Sequence, residues 1–378
     1  MHSSLRAFGA LFALAALPAA AETFESSAGR LSVQPVVEGL DHPWGFAFLP
    51  DFAETGAILI TERSGALRLF EKGRLSPPIE GAPEVAATGQ GGLLDIALAP
   101  DFAETGTLYL TYAAPAGIFA ARTELARARL VRAPEPRLED LTPIFRQDPP
   151  QSASHHFGSR VVVALDGSLF VTVGDRGQSE EAQNLGAHQG SVVRILPDGA
   201  PHPENPFLGL PGAKPEIWSF GHRNPQGAAL DPAGRLWIVE HGARGGDELN
   251  RPEAGVNYGW PVISYGRHYS GGKIGEGTAK PGMAQPIYYW DPSIAPSGLA
   301  FYEGDLFPGW KGDAFVGALK FQLVARLDLD AEGRVIREER LFAGAFGRVR
   351  DVRAGPDGAL WFATDENPGA IYRVSPAK

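Results

Sequence analysis

The chain of 378 residues contains no cysteine, so no disulfide framework can brace it and its cohesion must come from buried surface or bound ions. Positive charge is in deficit. There are 34 Lys and Arg against 44 Asp and Glu, a net charge of -10, which argues against nucleic acid or an anionic membrane as a partner. Several familiar signatures are missing as well: no GxGxxG follows a strand, and there is no P-loop, HExxH or GxSxG elbow. Their absence argues against a nicotinamide or flavin held on a Rossmann unit, and against a serine or zinc hydrolase. Helical periodicity is scarce, with only Thr123 to Arg132 spaced like a helix. After residue 21 no stretch is long and apolar enough to span a bilayer.

What is present begins with a short basic start, an apolar run from Ala7 to Ala21, and Ala19-Ala20-Ala21 just before Glu22. This is the layout of a secretory signal peptide over residues 1–21, and it predicts a periplasmic or secreted mature chain over residues 22–378. The heptapeptide PDFAETG then occurs twice unchanged, at Pro50–Gly56 and Pro100–Gly106. A looser pattern surrounds it: an apolar strand, a turn rich in Pro, Asp and Gly, and a second apolar strand. It recurs over Phe46–Glu62, Ile96–Tyr112, Val161–Asp175, Ala228–His241, Leu299–Ala318 and Val352–Asp365. Repetition at this spacing predicts an all-β fold, one six-bladed β-propeller of four-stranded antiparallel blades forming a single domain. A strand over Leu31–Glu38 can pair with Ala370–Val374 and close the ring, leaving no open edge. Long polar insertions, Gln147–Arg160, Gly174–Gly190 and Ser264–Ser297, separate the blades and are places for function or motion. The Gly- and Lys-rich piece Tyr265–Gly282 has the composition of a mobile segment.

The stretch Glu216–Pro261 sets two polar, glycine-rich loops on either side of a strand, Leu236–Val239, whose residues suit burial. Other blade ends carry Gln90 in TGQGGLLD, His155 and His156 in SHHFGSR, Asp175 in VTVGDRG, Arg223 and Asn224 in GHRNPQG, Lys320 in GALK, Arg348 and Arg350 in GRVRD, and Asp365 in ATDE. Blade ends converge on a propeller's channel, so these residues can share one pocket. Taken singly, each arginine reads more readily as half of a surface salt bridge. Taken together, four cations from three blades of an acidic chain point to a polyanionic ligand.

The motifs GQGGLLD, HFGSR, GHRNPQG, GDELN with NYGWP, YYWDPSIAPSG, and RVRD with GPDGALWFATD resemble the soluble sugar dehydrogenases that use pyrroloquinoline quinone (PQQ), above all the bacterial aldose sugar dehydrogenases. The likeness runs from about Val36 to Ser375. It implies that His156 is the general base on the sugar hydroxyl. It implies also that Gln90, Arg223, Asn224, Lys320, Arg348 and Arg350 surround the quinone and its carboxylates, with Asp175 and Asp365 as acids of the same pocket. A catalytic Ca2+ is implied on the backbone carbonyls of Gly242 and Ala243, and a second, structural Ca2+ at Glu248 and the carbonyl of Tyr258. Ala243 stands where the glucose enzymes carry proline, an exchange that keeps the carbonyl and loses the ring's stiffness. The loop Arg176–Gln183 departs from those enzymes, and Gln183 is the expected substitute for their glutamine.

The chemistry is coherent in its own terms. Moving hydride from an alcohol carbon to a quinone needs a base on the hydroxyl, which a histidine can be, and a hard cation on the quinone oxygen. Arg223 is then catalytic too, placed to stabilise charge on the reduced ring. The implied reaction oxidises the C1 hydroxyl of an aldose to the lactone, with a quinone, cytochrome or dye-like electron acceptor, in a monomer or homodimer. His155 is expected to point away from His156, as neighbours in an extended segment do. Tyr288, Tyr289 and Trp290 read as a platform for a sugar ring or as core. Two rivals stand beside this reading. A calcium-dependent lactonase-type hydrolase would leave Lys320, Arg348 and Arg350 without a role, and a non-catalytic propeller binding module would leave His156 without one.

Overall fold

The second strand of nearly every blade is buried from end to end. Ile58–Glu62, Leu169–Val173, Leu236–Glu240, Ala314–Ala318 and Leu360–Thr364 have no exposed residue. A sheet sandwiched between two others must be apolar on both faces, which is why these strands read as unbroken apolar runs. The computed structural model describes residues 21–377. The predicted signal peptide, Ala21 excepted, lies outside the described residues. Six antiparallel sheets form the ring, five of four strands and one of five. Their inner strand pairs are Pro43–Phe48 with Ile58–Glu62, Leu93–Leu98 with Thr107–Pro115, Val161–Val163 with Leu169–Val173, Pro225–Leu230 with Leu236–Glu240, Pro296–Phe301 with Ala314–Ala318, and Val349–Ala354 with Leu360–Thr364. Each pair is one copy of the sequence repeat, so the repeat is the inner half of a blade.

The ring closes as the sequence predicts. The N-terminal strand Gly29–Leu40 joins the last blade by pairing with Gly369–Pro376, Val33 against Val374 and Val37 against Ile371. A further strand, Glu22–Ser26, folds back on it and makes the fifth. Every contact between neighbouring blades holds an apolar cluster. Leu59, Leu93 and Leu110 pack between the first two blades, for example, and Trp237, Leu299 and Val316 between the fourth and fifth. The core is therefore a circle of sheet-on-sheet interfaces rather than one central mass.

The helix-like window Thr123–Arg132 is strand. All of it but Arg132 lies in Ala121–Val131, paired on both sides by Thr107–Pro115 and Arg137–Arg146, and ladder pairing with burial overrides its alanine and arginine content. Conversely, each PDFAETG turn holds a four-residue helix, Phe52–Thr55 and Phe102–Thr105, that the repeat did not announce. Both end on a glycine in the left-handed region, Gly56 at φ 66 and Gly106 at φ 70. The channel is plugged by charge. Arg160 lies 3.0 Å from both Asp95 and Asp351 and stacks on Trp44, and Arg353 bonds the same two aspartates.

Candidate active site

Antiparallel register sets the start of each first strand beside the end of the second: Pro225 faces Glu240, Pro296 faces Ala318 and Val349 faces Thr364. Residues just before first strands and just after second strands therefore share one face of the ring. Gln90, His156, Arg223, Asn224 and Arg348 come before first strands, while Asp175, Gly242, Lys320 and Asp365 come after second ones. On this face a cavity of about 340 Å3 is bordered by His155, His156, Asp175, Arg223, Ala243 and Trp260. That volume suits a small-molecule ligand. Part of its wall is His268, Tyr269, Ile274 and Gly275, so the segment read as mobile shapes the cavity, held by backbone pairing of Arg267 with Arg244 and Ile263 with Gly277.

His156 is fixed at both ends. Its N–H donates to Gln90 Oε1 at 2.8 Å, and its Nδ1 lies 2.7 Å from Asp175 Oδ1. Asp175 is itself pinned by the N–H of Gly177 at 2.8 Å and by Trp260 Nε1 at 2.8 Å on its other oxygen. A carboxylate only accepts, so the ring proton belongs on Nδ1 and the lone pair on Nε2. Burial depresses the His156 pKa below its ordinary value, with the positive charge of Arg223 adding to it, although Asp175 pulls the other way. Burial disfavours the Asp175 charge, but bonds from His156 and Gly177 and the charge of Arg223 outweigh it and keep the carboxyl ionised. The result is a neutral, oriented imidazole with a free basic nitrogen.

One expectation fails here. His155 does not point away: its ring stands edge-on to His156 with centroids 4.5 Å apart, and both rings border the cavity. The cause is the backbone, since His156 sits at φ 57, in the left-handed region, and the alternation of an extended chain does not apply.

Arg223 donates from its backbone to Glu240 Oε2 at 2.7 Å and from its guanidinium to the carbonyls of Gly242 and His241, beneath the Trp260 ring. Asn224 Oδ1 accepts from Gly158 and from Gln226, whose own Oε1 accepts from Arg350. Arg350 and Arg348 share Asp365 Oδ2 at 2.9 and 3.2 Å, while His42 Nδ1 lies 3.1 Å from Oδ1. Burial opposes the Asp365 charge, but Arg350 and Arg348 hold the carboxyl well below the usual carboxylate range. Gln183 binds Asn257 Oδ1 and the carbonyl of Trp260, and so braces the tryptophan that grips Asp175. Lys320 is exposed near Phe321, and neither it, Gln90, Arg348 nor Arg350 borders the cavity. Nor do Tyr288, Tyr289 and Trp290: they form the outer strand of the fourth blade, with Trp290 in the core and Tyr289 stacked on Tyr265.

The residues present fit an anionic cofactor and a hard cation. Buried N–H groups of Arg63, Arg223, Asn224 and Arg350 have no partner, and all four are donors in want of acceptors. Gly242 lies in a cradle of carbonyls, because a Cβ there would strike the oxygens of Gly245 and Gly246. Its own carbonyl already faces a cation, the Arg223 guanidinium. Oxygen donors of this kind suit calcium. Next to it a small space of about 20 Å3 is bordered by Glu240, Glu248 and Tyr258. Burial, with Glu240 and Asp247 close by, pushes the Glu248 carboxyl well above its ordinary value, a charge imbalance that a cation would relieve. Trp260 and Arg63 escaped the reading of the sequence. The first was inside the NYGWP motif, and the second has no such company.

The family model described as Glucose / Sorbosone dehydrogenase matches residues 40–373. An aldose sugar dehydrogenase of Escherichia coli is 43% identical over 350 residues, covering 92% of this chain and 93% of that one. A crystal structure of a glucose dehydrogenase superposes with a TM-score of 0.88 at 46% identity, covering 91% of this chain and 99% of the other. The PQQ-bound form of an aldose sugar dehydrogenase from Streptomyces coelicolor gives a TM-score of 0.77 at 28% identity over 91% and 98% of the two chains.

Proposed function

Because this chain belongs to the Glucose / Sorbosone dehydrogenase family, we propose that it is an exported oxidoreductase that oxidises the C1 hydroxyl of aldoses to lactones with PQQ and Ca2+. The carrying observation is the His156–Asp175 pair, which opens onto the cavity beside Arg223. His156 Nε2 takes the hydroxyl proton, and Asp175 stabilises the imidazolium that results. Arg223 supplies positive charge at the same cavity, and Trp260 covers Asp175 from water. When bound, PQQ provides the hydride acceptor and Ca2+ the electrophile on its carbonyl. Gly242 and Ala243 would hold that ion through their carbonyls, and Glu248 with the carbonyl of Tyr258 a structural one. Gln90, Asn224, Lys320, Arg348 and Arg350 would meet the cofactor's oxygens and carboxylates, with Asp365 keeping the two arginines in place. Residues 1–21 act as the export signal, and residues 22–378 form one catalytic unit. No helix among the described residues is long and apolar enough to cross a membrane.

A lactonase-type site would need carboxylates converging on one ion, and among the described residues no group of three or more His, Asp or Glu is so placed. Ser219, His222 and Glu240 do bond in the order of a hydrolytic triad, at 2.9 Å for each step. Ser219 and His222 are wholly buried, however, which marks the trio as structural. The test of the proposal is reconstitution. The purified full chain, given Ca2+ and PQQ, is expected to take up a quinone absorbance and to reduce a dye when glucose is added. Uptake without aldose-dependent dye reduction, or no uptake at all, would refute it.

A further inference from the structure

Arg63 stands one residue beyond the second strand of the first blade, Ile58–Glu62. Asp365 stands one residue beyond Leu360–Thr364 in the last blade, and His241 one beyond Leu236–Glu240 in the fourth. The ring's symmetry therefore places Arg63 on the face that carries the site. Its backbone N–H donates to the carbonyl of His42, whose ring meets Asp365. Its guanidinium donates through Nη1 to the carbonyl of Gly89 at 2.6 Å, the residue before Gln90, while its buried Nε has no partner. Arg63 also acts on Asp365 together with Arg350 and Arg348. Two guanidiniums bond the one carboxylate and the charge of a third reaches it, so positive charge is left over. Such an excess is a standing cost in a partly buried place unless an anion arrives to share it.

We infer that Arg63 is a further binding residue for the site's ligand, a third guanidinium that joins Arg348 and Arg350 in receiving a carboxylate of the anionic cofactor where the first and last blades meet. This rests on the reading of the site as one for PQQ. Its test is a tryptophan-quenching titration of the full chain with PQQ at low and high salt, for the parent protein, Arg63→Gln, Arg63→Lys, and Arg235→Gln on the opposite face. Arg63→Gln is expected to weaken binding about tenfold or more and to flatten its salt dependence, because one charge-assisted contact is gone. Arg63→Lys keeps the charge and should recover part of the affinity, and Arg235→Gln should match the parent. Unchanged affinity in Arg63→Gln overturns the inference. So does equal weakening of both Arg63 variants with the parent's salt dependence, since Arg63 would then only prop the Gly89 turn. If the parent itself fails to bind PQQ, the proposed function falls and takes the inference with it.

Discussion

The two faces of the ring are built from the same repeat and differ in what they leave unfinished. On the face away from the cavity, the turn between the two inner strands of the fourth and sixth blades is closed by its own aspartate. Asp231 accepts from the N–H groups of Ala233 and Arg235, from Arg235 Nε and from Trp237 Nε1, all within 3.0 Å. Asp357 does the same for Ala359, Trp361 and Arg373. On the cavity face, loops hold Arg63, Arg223 and Asn224, and a strand end holds Arg350, with buried donors unpaired. The unpartnered buried atoms of the far face are acceptors, Asp51 Oδ1 and Asn205 Oδ1, whereas the cavity face is short of acceptors. The difference teaches where a ligand is needed: donors finish their bonding within the chain where stability is the task, and stay unfinished where a partner completes them.

The contrast can be broken by exchanging the expected effects. Loss of His156 itself aside, Asp175→Asn should have the largest, because its amide nitrogen would set a donor against either Trp260 Nε1 or His156 Nδ1, and the imidazole would lose the partner that keeps its lone pair on Nε2. Turnover is expected to fall roughly 10²-fold or more while PQQ affinity stays near normal, measured by dye reduction and quenching titration. Arg348→Gln comes next. It removes a guanidinium proposed to meet the cofactor's carboxylates, so PQQ affinity should drop by about 1.5–3 kcal/mol and activity should return with excess cofactor. The same titration on Lys320→Gln sharpens the comparison, because an unchanged affinity would remove exposed Lys320 from the cofactor's contacts. On the far face, Asp231→Ala should orphan Trp237 Nε1 and cost about 1–3 kcal/mol in chemical denaturation without altering turnover. A lost activity with unchanged stability would mean the two faces do not divide their labour.

The smallest effect is on pH. A base whose pKa is lowered by burial stays unprotonated further into acid, and activity is lost only as pH falls through that lowered value. The acid limb of kcat/KM should therefore lie below 6.5, the ordinary value for histidine. A limb at or above 6.5 would contradict the buried, neutral state of His156.

The fold was legible because its information is local. Each inner strand pair is a contiguous strand, turn and strand, and the closing pairing of Val33 with Val374 follows from a leftover strand at each end. The site was legible in part: His156, Asp175, Arg223 and Ala243 do meet at one cavity, which Gln90, Lys320, Arg348 and Arg350 do not border. Its orientation was not. The left-handed φ of His156 turns His155 toward the cavity, and no pattern of residue types encodes that angle. Arg63 was invisible for another reason: it is marked only by its place in the ring, which requires the blades to be superposed before it can be seen. The helices in PDFAETG were hidden by their brevity, a single turn between two strands.

The most direct test follows the bound quinone itself. Parent and His156→Ala proteins, both loaded with PQQ and Ca2+, are mixed with aldose in a stopped-flow instrument and the quinone absorbance is watched. If His156 is the base, both should load equally, and His156→Ala should be reduced roughly 10²- to 10⁴-fold more slowly than the parent. Equal loading with equal rates of reduction would contradict the account.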